Sequence, residues 1–437
     1  MTTNRAQQFL SPRGGSNYWS QRPDLIEAWK LGSQLSVPPL TTEWACTLDC
    51  NARCPRCPYH DAQLRHCDGV VPIGELAVVN NKTTPSMMMA RLVLERSREA
   101  GVSGVLFTGG GEPLIWPPLV DAIRYSHDLG MDNAIYTNGL SLGFDPQMST
   151  RLMDRRNGLV FVRLSINAVS SDAVSHHWGL KDPAVIDYQF VGLRRLLEAR
   201  NELAQQSGES NLPSVQISTI VDKHTAFDLE AICEKVADIF HDARIKKGPE
   251  DVMIVRPLTI HGGKQYSHHD HEDWVIRRIL EVCGQDGSGR ARLNNADVPL
   301  FLGFGLDRIE TGEVQSYDAL IEAEYAQRDI SLANGVFLTV APDATIFIST
   351  EHNCGTPEFA IGNLETQSVQ EIYGSLRRQQ LLNRMNTQCW GPGVAQPTPR
   401  TARLDRIARA IQHGELSDSD LEAIRLASLS SHSLLLD

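Results

Sequence analysis

Four of the nine cysteines, Cys46, Cys50, Cys54 and Cys57, fall within twelve residues. Cys50, Cys54 and Cys57, at x3 then x2 spacing, place three thiolates in one short loop. Three thiolates can each hold one iron of a [4Fe–4S] cluster, leaving the fourth iron open to a small molecule. Cys46 stands outside that spacing, inside the β-branched run before the loop, and reads as core. The same stretch could hold zinc through Cys54, Cys57 and two of Cys50, His60, His66 and Cys67. On the cysteine spacing alone the two readings stand level.

A second motif weighs against zinc. Phe107-Thr108-Gly109-Gly110-Gly111-Glu112-Pro113-Leu114 ends a short apolar run. Glycines there let the backbone approach a ligand, and a carboxylate can accept hydrogen bonds from an ammonium group. A zinc ribbon has no use for either feature.

These residues must be positioned by strands and helices. From residue 41 to about 260, β-branched runs alternate with amphipathic stretches, the pattern of βα units around a parallel sheet. The expected strands are 42–46, 104–108, 133–137, 160–166, 215–221 and 252–257, and the expected helices between them include 87–100, 118–129, 185–204 and 229–243. Six such units with right-handed crossovers make an α/β fold, a partial (β/α)6 TIM-like barrel. Each motif then sits at a strand's C-terminal end, where barrel enzymes place their sites. Beyond 260 the pattern loosens into a small C-terminal α+β extension over 261–395, with a hairpin at 335–350 turning at Pro342–Asp343 and one helix over 368–384. Residues 1–40 read as an N-terminal extension, and 396–437 as C-terminal helices, the second opened by Ser417 with Asp418 and Asp420 in its first turn.

The 41 Lys and Arg against 53 Asp and Glu give a net charge of −12, so no basic footprint for nucleic acid is expected. The composition, 41% hydrophobic and 22% charged, is that of a globular enzyme. Neither an export signal nor a membrane-length apolar run stands out, which predicts a cytoplasmic protein with no membrane partner. An odd cysteine count in such a chain argues against a disulfide framework.

With both motifs on a βα background, residues 40–260 resemble the radical S-adenosylmethionine (SAM) superfamily. The resemblance implies that Cys50, Cys54 and Cys57 bind a [4Fe–4S] cluster, that SAM chelates the open iron, and that Gly110, Gly111 and Glu112 hold its methionyl amino group. Reductive cleavage would give methionine and a 5′-deoxyadenosyl radical, with electrons from a flavodoxin- or ferredoxin-type donor. Asn138, in Tyr136-Thr137-Asn138-Gly139, and Ser165, in Arg163-Leu164-Ser165-Ile166-Asn167, match where the family contacts the SAM carboxylate and ribose. Asn138–Gly139 can equally be a plain turn, and Ser165 a cap. Asp222 and Arg256 are candidates by position alone. The family's usual aromatic before the third cysteine is replaced by Arg56, leaving Tyr59 as the nearby aromatic candidate for the adenine.

The stretch around Asn353-Cys354-Gly355, Ile361-Gly362-Asn363-Leu364, Val369–Tyr373 and Cys389 is similar to a degenerate SPASM/twitch-like extension. Its usual cysteine run is missing. Counting excludes two auxiliary clusters, and a single one, through Cys354, Cys389 and Cys283 or a non-cysteine ligand, is not expected. His268, His269 and His271 read as a solvated loop, and Met87, Met88 and Met89 as packing. The 49 residues before Cys50 predict neither a cobalamin domain nor a fused peptide-recognition domain. The expected substrate is a peptide or a small natural-product or sugar molecule. The rival from another class is a non-catalytic zinc- or iron–sulfur-binding scaffold.

Overall fold

The computed structural model describes residues 19–20, 22–32, 39–54, 57, 84–180, 182–207, 212–242, 245, 248, 251–258, 273–303, 306–316, 319, 336–349, 359–388 and 399–428. Six parallel strands form its centre: β1 (Thr41–Ala45), β2 (Gly104–Thr108), β3 (Asp132–Thr137), β4 (Leu159–Ser165), β5 (Ser214–Val221) and β6 (Val252–Pro257). Each lies within one residue of its expected bounds. Four more strands extend the same sheet: β7 (Leu300–Leu302) beside β6, β8 (Phe337–Val340) parallel to β1, then β9 (Thr345–Phe347) antiparallel to β8 and β10 (Ala360–Asn363) antiparallel to β9. The ten-stranded order is β10-β9-β8-β1-β2-β3-β4-β5-β6-β7.

The helices, in chain order, are α1 (Pro23–Lys30), α2 (Met87–Glu99), α3 (Leu119–Asp128), α4 (Leu140–Phe144), α5 (Pro146–Leu152), α6 (Ser171–Trp178), α7 (Asp187–Ser207) and α8 (Leu229–Phe240). After β6 come α9 (Asp273–Cys283), α10 (Ser288–Asn295), α11 (Leu306–Glu310), α12 (Val369–Tyr373), α13 (Leu376–Gln388), α14 (Pro399–Gln412) and α15 (Asp418–Ser428). No helix among the described residues is long and apolar enough to cross a membrane.

Strand register sorts side chains onto two faces, because neighbours in a pleated sheet point the same way and successive residues alternate. Trp44, Val105, Phe107, Ile135, Val162, Leu164, Val215, Ile217, Met253 and Val255 all belong to the large buried core under the helices. The opposite face, which the partial barrel encloses, is mixed. It carries Glu43, Leu106, Ala134 and Phe161 in one register row, Tyr136, Arg163 and Gln216 in the next, Ser165 and Ser218 above them, and Arg256 beyond. Arg163 donates to Gln216 Oε1 at 2.9 and 2.6 Å and to the Tyr136 hydroxyl at 2.7 Å, which ties three strands across that face. A barrel filled for stability alone would carry bulky branched residues here; these polar groups suit a bound molecule.

Two sequence expectations need correction. The single helix over 368–384 is two, α12 and α13. Ser368 and Glu371 form a reciprocal cap that starts α12, the short helix closes at Gly374, and Ser375 Oγ accepts the Arg378 N–H at 3.2 Å to start α13. The expected hairpin at 335–350 is present as β8 and β9, but β8 also pairs with β1, so the barrel sheet continues into it. Both expected C-terminal helices form and pack with α1 in a second core of Trp19, Leu25, Trp29, Leu404, Ile407, Ile411 and Ile424. Ser417 caps α15 with Asp420 as expected, the Asp420 N–H donating to Ser417 Oγ at 3.2 Å.

The strands' N-terminal ends are fastened by a buried ion pair. Arg200, from α7, donates to both Asp251 carboxylate oxygens at 2.5 and 2.8 Å, and both side chains are almost fully buried. Asp251 also accepts the Val215 and Gly248 N–H groups, each at 2.7 Å, so it joins α7, β5 and the approach to β6. Removing one partner of such a pair leaves a buried charge uncompensated. Asp251→Ala should therefore cost about 3–5 kcal/mol in urea unfolding, whereas a cost under about 1 kcal/mol would show that the pair contributes little.

Candidate active site at the cysteine loop

The loop is held by backbone contacts as it leaves β1. The Gly111 N–H donates to the Thr47 carbonyl and the Glu112 N–H to the Asp49 carbonyl, each at 2.8 Å. The two segments lie so close that a Cβ on Gly111 would sit 1.9 Å from the Asp49 oxygen, and one on Gly109 1.7 Å from the Gly111 oxygen. Only glycine fits at either position. Gly110, between them, is buried.

The far side of the loop rests on α6. The Arg53 N–H donates to the Trp178 carbonyl at 2.9 Å. Gly179, left-handed at φ +61°, ends α6 where a Cβ would meet the Arg53 oxygen at 2.0 Å. Ala52, Ala168, Val174, Trp178 and Ile186 form a small buried cluster on which Cys50 and Cys54 pack. The sequence reading missed Trp178 and Gly179, although a glycine just past a helix end is a recognisable C-cap signal.

Glu112 is 2% exposed and accepts three hydrogen bonds from its neighbours. Its Oε1 accepts the Leu114 N–H at 3.0 Å and the Thr137 hydroxyl at 2.6 Å, and its Oε2 accepts the Asn138 N–H at 2.7 Å. The carboxylate thus laces the end of β2 to the end of β3. Burial raises its pKa to about 6 despite those hydrogen bonds.

Asn138 is a turn residue that also reaches the cysteine loop. Its Oδ1 accepts the Leu140 N–H at 3.0 Å in the turn where Gly139 is left-handed, while its Nδ2 donates to Asn51 Oδ1 at 2.7 Å and stands 4.0 Å from Cys50 Sγ. Ser165 closes β4, half-buried on the enclosed face, and its carbonyl accepts Gln189 Nε2 at 3.0 Å. The same Nε2 donates to the Asn138 carbonyl, so Gln189, buried in the first turn of α7, clamps the ends of β3 and β4 together. Nothing in the sequence singles out that glutamine. Asp222 is a turn cap: its Oδ1 accepts the His224 and Thr225 N–H groups at 2.8 and 3.0 Å. Arg256 shares the enclosed face by register.

Cys46 is buried in the main core, as expected. Burial pushes the Cys50 thiol up to about 11, helped by the nearby Glu112 carboxylate and Cys57, and pushes Cys54 higher still, with Cys57 and Cys50 adding to it. The three sulfurs therefore share one electrostatic neighbourhood, and binding a cationic metal centre is what would deprotonate them. Among the described residues, no three His, Cys, Asp or Glu side chains converge closely enough to share one metal ion. A cluster takes one thiolate per iron, and three thiols on one loop supply that number for three of its four irons. Tyr59, His60, His66, Cys67, Cys354, Cys389, Arg56 and the histidines at 268, 269 and 271 lie outside the described residues. Cys283 is described; its thiol is buried against that of Cys233.

Comparison of the sequence with protein-family models and with curated proteins gives no match. Comparison of structures does. Streptococcus suis SuiB bound to its precursor peptide SuiA aligns at a TM-score of 0.50 and 14% identity, over 82% of this chain and 69% of that one. SuiB bound to S-adenosylmethionine aligns at 0.49 and 12%, over 80% of this chain and 66% of that one, so this chain spans just under two thirds of that SuiB chain. BtrN in complex with AdoMet and 2-DOIA aligns at 0.37 and 12%, over 80% and 87%. The fold, a mostly parallel α/β partial barrel, is thus shared with SuiB.

Burial of Glu112 gives it a pH-dependent contribution to stability. Its folded pKa of about 6 lies above its ordinary value of 4.5, so between those values the folded chain binds the proton more tightly than the unfolded chain. Stability from this group is full below about 4.5 and is lost as pH rises through about 6. Relative to Glu112→Gln, which does not titrate, the wild type should lose on the order of 2 kcal/mol between pH 4.5 and 7 in urea unfolding of the metal-free chain. An unchanged difference between the two proteins across that range would show that the carboxyl ionises as freely folded as unfolded.

Proposed function

We propose that this chain is a radical SAM enzyme whose cluster is held by Cys50, Cys54 and Cys57. The observation that carries the reading is the contact between the cysteine loop and the Gly109–Glu112 turn at adjacent strand ends, above an enclosed face lined with polar side chains. When bound, the cluster and SAM supply one-electron chemistry, the reductive cleavage of SAM to methionine and a 5′-deoxyadenosyl radical. The chain's own residues bind, orient and exclude water. In this reading, backbone carbonyls of the glycine turn and the Glu112 lone pair left by Leu114, Thr137 and Asn138 would accept hydrogen bonds from the methionyl ammonium. Asn138 and Ser165 flank the same rim as candidates for the remaining polar groups of SAM, and Tyr59 is the candidate for the adenine. Arg163, Tyr136 and Gln216 line the floor on which a substrate would rest.

The substrate in this proposal is a peptide or a small natural-product or sugar molecule from which hydrogen is abstracted, with electrons delivered by a flavodoxin- or ferredoxin-type donor. A peptide is compatible because the SuiB structure of matching fold was solved with a precursor peptide bound. The barrel loop by itself accounts for one cluster, so about four irons per chain are expected.

The test is anaerobic iron–sulfide reconstitution followed by dithionite and SAM. The wild type should hold about four irons and release 5′-deoxyadenosine, while Cys50→Ala, Cys54→Ala and Cys57→Ala should each lose both, and Cys46→Ala, Cys67→Ala and Cys233→Ala should keep both. Glu112→Ala should keep its iron and bind SAM roughly ten- to a hundred-fold more weakly, the value of a charge-assisted hydrogen bond. A wild type that binds zinc stoichiometrically and never cleaves SAM would establish the scaffold reading instead.

A further inference from the structure

On the helix side of the sheet, away from the enclosed face, a cavity of about 570 Å³ opens between the residues following Glu112, α3 and α5. That volume lies within the range of small-molecule sites. Leu114, Trp116, Val120 and Met148 supply an apolar wall. The rim is charged: Arg124, Arg151 and Arg156 against Asp121 and Asp154, an excess of one positive charge.

Two of the three arginines are already satisfied. Arg156 grips Asp154 through Nε at 3.0 Å and again through Nη2, and Arg151 pairs with Asp145. Arg124 is different. Its nearest acid contact is Asp154 at 3.6 Å, beyond hydrogen-bond reach, and its Nε is buried with no partner among the described residues. A guanidinium presents five donors in a planar fork that matches a carboxylate. Arg124 Nη2 is ion-paired with Asp154 but too far for a hydrogen bond, on a side chain one-third exposed, so the outer end of its fork can take a second anion.

We propose that this cavity binds a small organic acid, its carboxylate on the Arg124 fork and its apolar body against Leu114, Trp116, Val120 and Met148. A bare inorganic anion would leave the apolar wall uncovered, and a neutral apolar molecule would leave Arg124 with only its long contact to Asp154. The site is separate from the cysteine loop, yet its wall begins at Leu114, whose N–H donates to Glu112. Ligand binding here does not depend on SAM chemistry, so it can fail or succeed independently of the function proposed above.

The experiment is isothermal titration of the full-length, iron-reconstituted protein with 4-phenylbutyrate and with the isosteric neutral 4-phenylbutan-1-ol. The acid should bind saturably at one site per chain, at least tenfold more tightly than the alcohol, and Arg124→Gln should weaken the acid by at least tenfold while leaving the alcohol unchanged, as loss of a charge-assisted hydrogen bond requires. Met148→Trp, which fills the cavity, should abolish binding of both. Arg124→Lys, which keeps the charge without the fork, should fall between the wild type and the glutamine variant, and it serves if the glutamine variant does not fold. No saturable binding of the acid, equal affinity for acid and alcohol, or wild-type affinity in Arg124→Gln would each overturn the proposal.

Discussion

Everything at the site depends on two stretches of backbone lying closer together than side chains permit. The Gly109–Glu112 turn touches residues 47–49 through paired N–H to carbonyl bonds, and any Cβ on Gly111 would collide with the Asp49 carbonyl. This contact fixes where the chain stands when it enters Cys50-Asn51-Ala52-Arg53-Cys54. Gly179 makes a second approach of the same kind from the opposite side, against Arg53. Between them, Asn138 reaches Asn51 and the edge of Cys50. The cysteine loop is thus positioned mainly by backbone geometry at neighbouring strand and helix ends.

The strand ends are joined in turn by two buried polar side chains. Glu112 connects β2 to β3, and Gln189 connects β3 to β4. Such groups cost free energy to bury unless hydrogen-bonded, and each is engaged by two or more partners. Below the rim the sheet has an apolar face under helices and a mixed face toward the barrel's interior, where the Arg163, Tyr136 and Gln216 network supplies a fixed polar floor.

Much of this was legible in the sequence because its physics is local. Six strands could be bounded from β-branched runs, Cys46 separated from its three neighbours by spacing and context, and the glycine turn recognised from three consecutive glycines before a carboxylate. What stayed hidden was long-range. β7 is three residues long and carries too little pattern to be seen. β8 looked like half of a hairpin, and its second partnership with β1 depends on tertiary placement. The break between α12 and α13 comes from Ser375 taking over as a cap, a choice the continuous helical pattern conceals. Gln189 sits on an ordinary helix turn and acquires its role only when β3 and β4 end beside it. Glu112 shows in the sequence as a carboxylate beside a glycine turn, but its hydrogen bonds to Thr137 and Asn138 depend on where β3 ends.

The most direct test of this account leaves every cysteine and every charged group in place. Gly111→Ala adds one methyl group where the backbone has no room for it, and iron can be counted after anaerobic reconstitution alongside Gly374→Ala, a helix-end substitution at φ −81° whose nearest contact is 3.3 Å away. The account predicts that Gly111→Ala keeps the far-ultraviolet spectrum of the wild type but holds less than half of the expected four or so irons, while Gly374→Ala holds them all. Full iron loading in Gly111→Ala would contradict it, showing that the cysteine loop finds its place without the glycine contact.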